Sequence, residues 1–252
     1  MRFDVLTLFP EFFVPLMTSG ITRRAFDSGQ MQVEFANPRD FAEGSYRRVD
    51  DRPFGGGPGM VMMAEPLFRC LQQVKAGRRD GAPVLLFSPH GQILNHTVVQ
   101  RWSESRGAIL ICGRYEGVDQ RFVDRHVDEQ ISLGDFVLSG GEIAAIALLD
   151  AVARLQPGVL TDEASHQQDS FNPALDGLLD CPHYTRPEHW SGLTVPEVLM
   201  SGHHANVERW RRDQRLLLTQ RLRPDLIALA RCSGRLSARD EACIAGRSEA
   251  LS

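Results

Sequence analysis

The chain repeats one pattern three times between residues 83 and 155: an apolar run, a loop that contains glycine, and a segment with helical spacing. The three runs predict strands at Pro83–Phe87, Ala108–Cys112 and Glu129–Leu133. Apolar strands that alternate with helices are typical of a parallel sheet covered by helices on both faces. The pattern therefore predicts an α/β fold, and it constrains the chain more than any single residue does.

Shorter patterns predict the remaining elements. Predicted strands lie at Arg2–Phe9 and Met31–Phe35, and predicted helices at Glu11–Thr18, Ala64–Lys75, 94–105, 118–126, 142–155, 203–230 and 237–245. Residues 44–59 are rich in glycine and arginine and are predicted to form a long loop.

The composition changes after Pro157. Residues 161–180 are acidic and polar with weak periodicity, which is typical of a linker or mobile loop. We therefore divide the chain into an α/β domain at 1–160, a flexible linker at 161–176 and a small helical domain at 177–252.

Overall composition is that of a globular protein, with 42% hydrophobic and 24% charged residues. No apolar run approaches the ~18 residues that indicate a transmembrane helix, and the start of the chain does not resemble a signal peptide. The five cysteines are scattered and form no CxxC pair, which disfavours a disulfide framework or a zinc ribbon. We therefore expect a reduced, cytoplasmic protein without a membrane segment.

Charge is distributed unevenly along the chain. The net charge is −4, but residues 201–252 contain 10 arginines against 6 acidic residues, whereas residues 101–200 contain 7 against 16. A plausible phosphate-contact face is Arg209, Arg211, Arg212 and Arg215 on the predicted C-terminal helix. An ordinary solvated helix face, in a chain that uses arginine rather than lysine, explains the same residues.

Three glycine-bearing loops follow three consecutive predicted strands, at 88–91, 113–117 and 134–141. Ligands of open parallel sheets bind outside the carboxyl ends of strands, so these loops are expected to line one pocket. No GxGxxG occurs at a strand–helix junction and no GxxxxGK[ST] occurs at all, which disfavours classical dinucleotide and nucleoside triphosphate sites. The loops alone still permit an enzyme that binds FMN or another nucleotide.

Three charged residues are possible catalytic groups. Glu116 directly follows a predicted buried strand, Arg154 ends the apolar helix, and Asp169 lies in the polar segment. Taken alone, Arg154 would complement the helix C-terminus, and Asp169 would be a solvated carboxylate.

Several longer motifs are specific to one family. They are NPRDF (37–41), VDDRPFGGGPGMVM (49–62), FSPHGQ (87–92), ICGRYEGVDQR (111–121), SLGDFVLSGGE (132–142), DSF (169–171) and GLLDCPHYTRP (177–187). In these motifs, and in their order to about residue 215, the chain resembles the bacterial tRNA (guanine-N1)-methyltransferase family TrmD.

The resemblance implies more than the patterns do. The family has a SPOUT-class α/β fold, a parallel sheet with a deep trefoil knot, and a small C-terminal helical domain. It acts as an obligate homodimer with active sites at the subunit interface. It transfers methyl from S-adenosylmethionine to N1 of the guanosine at tRNA position 37, a modification that guards against frameshifting, and Mg²⁺ supports the reaction.

Roles for individual residues follow by matching motifs. Asp169 is implied as the general base and Arg154 as its partner at guanine O6, with Asp50 and Gly59 near the target guanosine and Arg209, Arg211, Arg212 and Arg215 on the tRNA. Glu116 and Asp180 are candidate metal ligands. The implied cofactor residues are Phe87, Ser88, Pro89, Gly113, Tyr115, Glu116, Ser132, Leu133, Gly134, Leu138, Gly140 and Gly141.

The chain departs from the family pattern at four places. His90 replaces a usual Gln, Phe136 a Tyr, and Ile143-Ala144 a Leu-Pro, and residues 172–174 form an insertion. We expect small changes in cofactor contacts and linker order rather than a different reaction. The alternatives are a SPOUT methyltransferase for another RNA position and a non-catalytic RNA-binding module; the presence of both Arg154 and Asp169 argues against the second.

Overall fold

The computed structural model describes residues 1–161 and 165–248. The chain divides into two compact units, Met1–Thr161 and Asp162–Ser252. Among the described residues, no helix has both the length and the apolar character needed to cross a bilayer.

The first unit is built on a parallel sheet of five strands. Its strands are β1 (Arg2–Leu6), β2 (Gln32–Ala36), β5 (Val84–Ile93), β6 (Ile109–Ile111) and β7 (Glu129–Ser132), in the order β2-β1-β6-β5-β7. All the pairings in this sheet are parallel. The predicted α/β class with a parallel sheet is confirmed. A separate antiparallel hairpin, β3 (Asp50–Asp51) and β4 (Val61–Met62), lies within and after the segment predicted as a single loop.

Helices cover both faces of this sheet because its strand side chains alternate between two apolar cores. Leu85 and Leu110 pack in one core, whereas Leu86 and Ile111 pack in the other. The first core includes Leu148 of the long apolar helix. The helices are α1 (Val14–Thr18), α2 (Arg23–Asp27), α3 (Ala64–Ala76), α4 (His96–Ser103), α5 (Gln120–His126) and α6 (Glu142–Arg154).

Local capping sets several helix starts later than periodicity predicted. The Asn95 side chain accepts a hydrogen bond from the Val98 N–H at 3.1 Å, and Asp119 accepts one from the Arg121 N–H at 3.0 Å. The predicted helices at 94–105 and 118–126 are therefore shorter at 96–103 and 120–126. The predicted helix at 11–18 is a 3₁₀ turn at Pro10–Phe13 followed by α1.

The second unit is mainly helical. It contains 3₁₀ turns at Ser165–Gln168 and Pro173–Leu175, the hairpin β8 (His189–Trp190) and β9 (Leu193–Thr194), and helices α7 (Glu197–Met200), α8 (His204–Leu222), α9 (Pro224–Cys232) and α10 (Ala238–Ser248). A small core of Leu178, Leu216, Ile227 and Ala230 holds it together. The single helix predicted at 203–230 is wrong: it ends before Arg223 because Pro224 starts a new helix at its favoured first position.

The predicted linker at 161–176 differs from the structure in its described part. Residues 165–176 belong to the second unit, where Leu175 is buried and the Asn172 side chain caps a turn by accepting from the Ala174 N–H at 2.9 Å. Residues 162–164 of that prediction, and 249–252 of the predicted helical domain, lie outside the described residues.

Candidate active site

A cavity of about 430 Å³ opens at the carboxyl ends of β5, β6 and β7, which are neighbours in the sheet. Every predicted cofactor residue lines it except Gly134. Those residues are Phe87, Ser88, Pro89, Gly113, Tyr115, Glu116, Ser132, Leu133, Leu138, Gly140 and Gly141. The three glycine-bearing segments thus meet at one edge of the sheet, as parallel topology requires.

The first of these segments is not a loop between elements but an irregular part of β5. Phe87 and Gln92 both pair with Ile131 of β7, so residues 88–91 bulge out of the register. Gly91 makes this possible, because a Cβ there would lie 2.4 Å from the Gln130 carbonyl carbon. The bulge brings His90 to the cavity wall.

The second and third segments are tied directly to each other. The Gly141 N–H donates to the Gly113 carbonyl at 2.9 Å, and Arg114 Nη1 donates to the Ser139 carbonyl at 3.2 Å. A Cβ at Gly141 would come within 2.8 Å of Cys112 Cα. Only glycine allows this close approach of two backbones.

A buried ion pair lies beneath this junction, and the sequence analysis did not identify it. Arg114 Nε is 2.9 Å from Oε2 of Glu142, which is completely buried at the start of α6. The Thr7 hydroxyl donates to the other carboxylate oxygen at 2.8 Å, and the Arg114 guanidinium lies 4.4 Å from the ring centre of Phe9. The available signal was one charged residue directly before the apolar run of α6.

The glycine-rich hairpin lies against the second segment. The Glu116 N–H donates to the Met60 carbonyl at 2.9 Å, and a Cβ on Gly59 would be 2.3 Å from Glu116 Oε1. Burial raises the pKa of the Tyr115 phenol, and an interaction with Asp50 raises it further. Asp50 and Gly59, the two residues predicted to lie near the target base, therefore each lie against a residue that lines the cavity.

The two predicted catalytic residues belong to different units. Arg154 is the last residue of α6 in the first unit and is partly buried. Asp169 follows the first 3₁₀ turn of the second unit and is also partly buried. Its backbone donates to the His166 carbonyl at 3.3 Å and accepts from the Asn172 N–H at 3.2 Å, which holds the turn in place.

All four predicted tRNA-contacting arginines in α8 are paired with carboxylates inside the second unit. Arg209 and Arg212 both pair with Asp240 at 3.2 Å, and Arg215 pairs with Asp180 at 3.2 Å. Arg211 differs because its partner at 2.7 Å is an exposed glutamate, Glu208. The structure therefore places these four residues on one helix. Three of them pair with a buried or partly buried carboxylate, whereas Arg211 pairs with an exposed one.

The predicted metal ligands belong to different units, Glu116 to the first and Asp180 to the second. Among residues 1–161 and 165–248, the potential metal-ligand group is Asp180, Cys181 and His183, and Glu116 lies outside it. Asp180 is already engaged by Arg215 and by His183 at 2.8 Å. Mg²⁺ prefers an all-oxygen octahedron, which one carboxylate beside a thiol, an imidazole and a guanidinium does not supply.

Comparisons with known proteins identify the family of the chain. A family model described as tRNA (Guanine-1)-methyltransferase TrmD matches residues 1–229. A tRNA (guanine-N(1)-)-methyltransferase of Albidiferax ferrireducens is 74% identical over 98% of this chain and 100% of its own length. Proteins of the same name from Polaromonas sp. and Bordetella pertussis are 70% and 55% identical, over 97% and 99% of this chain and 96% and 100% of theirs. With matches of this extent, the chain belongs to the tRNA (guanine-1)-methyltransferase family TrmD.

Proposed function

We propose that this chain transfers a methyl group from S-adenosylmethionine to N1 of the guanosine at position 37 of tRNA. The observation that carries the proposal is the cavity at the carboxyl ends of β5, β6 and β7, in a chain of the TrmD family. The cavity size falls within the range of about 300–1,000 Å³ that is typical of small-molecule sites.

The residues of the cavity suit S-adenosylmethionine. Apolar walls from Phe87, Leu138 and Ala144 would take the adenine ring, and the glycine backbones at 113 and 140–141 allow close approach. The Glu116 carboxylate would face the cationic end of the donor. The bound donor supplies an electrophilic methyl group on sulfur. The protein then has to orient the acceptor and remove its proton.

Asp169 is proposed to remove the N1 proton of guanine, because protonated N1 is a poor nucleophile. The N1–H bond breaks and its proton passes to the carboxylate. N1 forms its bond to the methyl group as the methyl–sulfur bond of the donor breaks, and the donor leaves as the neutral thioether S-adenosylhomocysteine. Burial of Asp169 by the bound tRNA would raise its proton affinity towards the working pH. Arg154 is proposed to stabilise the negative charge that develops on O6 with directed hydrogen bonds.

The position of Asp169 outside the cavity-bearing unit is consistent with assembly of the site by substrate. Binding of the correct tRNA would bring the Asp169 carboxylate to the guanine, so that the binding energy of the right substrate completes the catalytic arrangement. The guanosine is proposed to leave its stack to reach the cavity, next to Asp50 and Gly59. Arginines of α8 are proposed to contact the phosphates, among them the half-buried Arg211, whose partner Glu208 is exposed.

Other parts of the proposal follow from the family alone. They are the trefoil knot in the sheet, the homodimer with its active sites at the subunit interface, the role of the C-terminal unit in holding tRNA, the cytoplasmic location, and the protection against frameshifting. Support of the reaction by Mg²⁺ also follows from the family alone. No magnesium step is included, because the group of Asp180, Cys181 and His183 does not offer the set of oxygen ligands that Mg²⁺ prefers.

The first experiment is methyl transfer from radiolabelled S-adenosylmethionine to two unmodified tRNA transcripts, with G or A at position 37. Label in the G transcript alone is expected. Label in neither transcript, from protein that still binds the donor, would contradict the proposed acceptor.

Residue roles are tested separately by Asp169→Asn. Loss of the base is expected to lower kcat by about 10²–10⁴-fold, with donor affinity unchanged. Near-normal turnover would remove Asp169 from the mechanism.

In the companion variant Arg154→Ala, kcat is expected to fall more than donor affinity, and the reverse result would place Arg154 in the donor pocket instead.

A further inference from the structure

The loop region before and inside the β3–β4 hairpin exposes two aromatic side chains. Phe54 is 99% exposed and Tyr46 is 85% exposed, the highest values of any large hydrophobic residue in the described parts of the chain. A single exposed aromatic residue is unremarkable in itself. The residues around Phe54 distinguish it from a single exposed aromatic residue.

Arginines flank Phe54 on its own segment. Arg48 pairs with Asp51 at 3.0 Å and Arg47 with Asp40 at 3.4 Å, and all four side chains are more than half exposed. Arg52 is exposed as well. Exposed ion pairs contribute little stability, so a phosphate can replace the carboxylate at small cost. An aromatic side chain beside arginines is the combination that binds single-stranded nucleic acid, by base stacking and phosphate contact.

Both ends of this loop are attached to the cavity rim. Asp50 pairs with Met62 across the hairpin, and the Met62 N–H donates to the Gly117 carbonyl at 2.8 Å. Gly59 lies against Glu116. Because a chain spans at most about 3.6 Å per residue, Phe54 is within about 14 Å of Asp50. Phe54 is therefore within reach of nucleotides that neighbour a base in the cavity.

Glycines define the tip of the loop. Gly55, Gly56 and Gly57 have φ values of 88°, 79° and 120°, which other residues rarely adopt. A Cβ at any of the three would meet no atom within 4 Å. Their role is therefore conformational rather than one of packing, and the space beside Phe54 is open to a ligand.

We propose that Phe54 stacks on a base that flanks the target guanosine, while Arg47, Arg48 and Arg52 contact the adjoining phosphates. Flipping one base out of a loop removes a stacking partner from its neighbours. The Phe54 ring replaces that partner and holds the RNA strand open at the cavity. The inference rests on the proposed function, whose substrate contacts it extends to the flanking nucleotides.

The test uses tRNA transcripts with 2-aminopurine in place of one flanking base, and the variants Phe54→Ala, Phe54→Trp and Val14→Ala. Val14 is the exposed apolar control: it lies on α1 of the first unit, is 49% exposed and belongs to no proposed binding surface. Stacking on Phe54 is expected to quench the fluorescence at one flanking position. Phe54→Ala is expected to abolish the quenching and to raise the KM for tRNA between about fivefold and 100-fold. Phe54→Trp and Val14→Ala are expected to keep the quenching and the wild-type KM, and donor affinity should not change in any variant.

A second substrate separates stacking from a general folding effect. An abasic nucleotide at the same flanking position should lower wild-type tRNA affinity to that of Phe54→Ala and should not lower the variant further. Additive losses, or equal KM values for wild type and Phe54→Ala, would overturn the proposal. The proposal would also be overturned if Phe54→Ala changed the oligomeric state, measured by sedimentation, and left the affinity for tRNA unchanged. That result would show that the loop contacts protein instead. The fluorescence does not depend on methyl transfer, so a failure of the proposed reaction is seen separately.

Discussion

Two regions of this chain are rich in arginine, the loop at 44–59 and helix α8, and they use it differently. In α8, Arg209 and Arg212 share the carboxylate of Asp240, which is 4% exposed. In the loop, Arg48 pairs with Asp51 in open solvent. The depth of the carboxylate decides whether an arginine supports the fold or remains available to a ligand.

The two carboxylates show the same contrast in their titration. Burial alone would raise the pKa of Asp240, but hydrogen bonds from Arg212 and from Ser237 outweigh it and hold the pKa well below its usual range. The pKa of Asp51 is also lowered, by the Arg52 N–H and by Arg48, but this side chain is exposed to solvent. Only the first interaction is sheltered from water, so only it is expected to matter for stability.

The largest expected effect is on stability, in Asp240→Ala. Removing a buried carboxylate leaves Arg209 and Arg212 without their shared partner, and the free energy of unfolding is expected to fall by about 2–4 kcal/mol. Urea denaturation measures it. The matched variant Asp51→Ala is expected to leave the unfolding midpoint unchanged. Equal losses in the free energy of unfolding in both variants would contradict the distinction between the two regions.

Next in size is the salt dependence of tRNA binding. Replacing Arg47, Arg48 and Arg52 together by Gln is expected to reduce the slope of log K against log salt by about 0.7–0.9 for each phosphate that no longer binds an arginine. Stability should not change, because these side chains are exposed. A slope equal to that of wild type would show that the loop does not bind phosphates.

A smaller change is expected from Arg211→Gln. Arg211 pairs with an exposed glutamate at 2.7 Å, unlike its neighbours on α8, so it can bind about one phosphate. Filter binding across a salt series measures this. Arg215→Gln serves as the comparison: its effect should appear as lower stability, because Arg215 is buried and pairs with Asp180. The reverse outcome would make Arg215 the residue that binds tRNA.

The smallest effect is a change in acid sensitivity. A carboxyl whose folded pKa is below its unfolded value of about 3.9 stabilises the protein above that pH, and the stabilisation is lost as the pH falls through the folded pKa. Wild type is therefore expected to lose stability from about pH 5 downwards more steeply than Asp240→Asn. Asp51→Asn is expected to follow the wild-type profile. Thermal unfolding between pH 3 and 6 compares them, and parallel profiles for all three proteins would contradict the assignment.

Local sequence patterns predicted the elements with regular periodicity. Runs of apolar residues predicted the buried first part of β5, the strand β6 and the apolar helix α6. Parallel order then places their loops at one edge, and the cavity lies there. The helix boundary at Pro224 was harder to predict. Pro224 starts a new helix, whereas the periodicity of apolar residues indicated one continuous helix.

What the sequence by itself determined is the α/β class, the family, and the convergence of three glycine-bearing segments, because each follows from local periodicity or from contiguous motifs. Only the tertiary structure decided which charges are paired. Glu142 and Arg114 are 28 residues apart in sequence and 2.9 Å apart in space, and Arg212 meets Asp240 across a similar separation. Coulombic pairing depends on the distance between the charges and on their burial. Neither quantity can be read directly from the order of residues, because both arise only when the chain has folded.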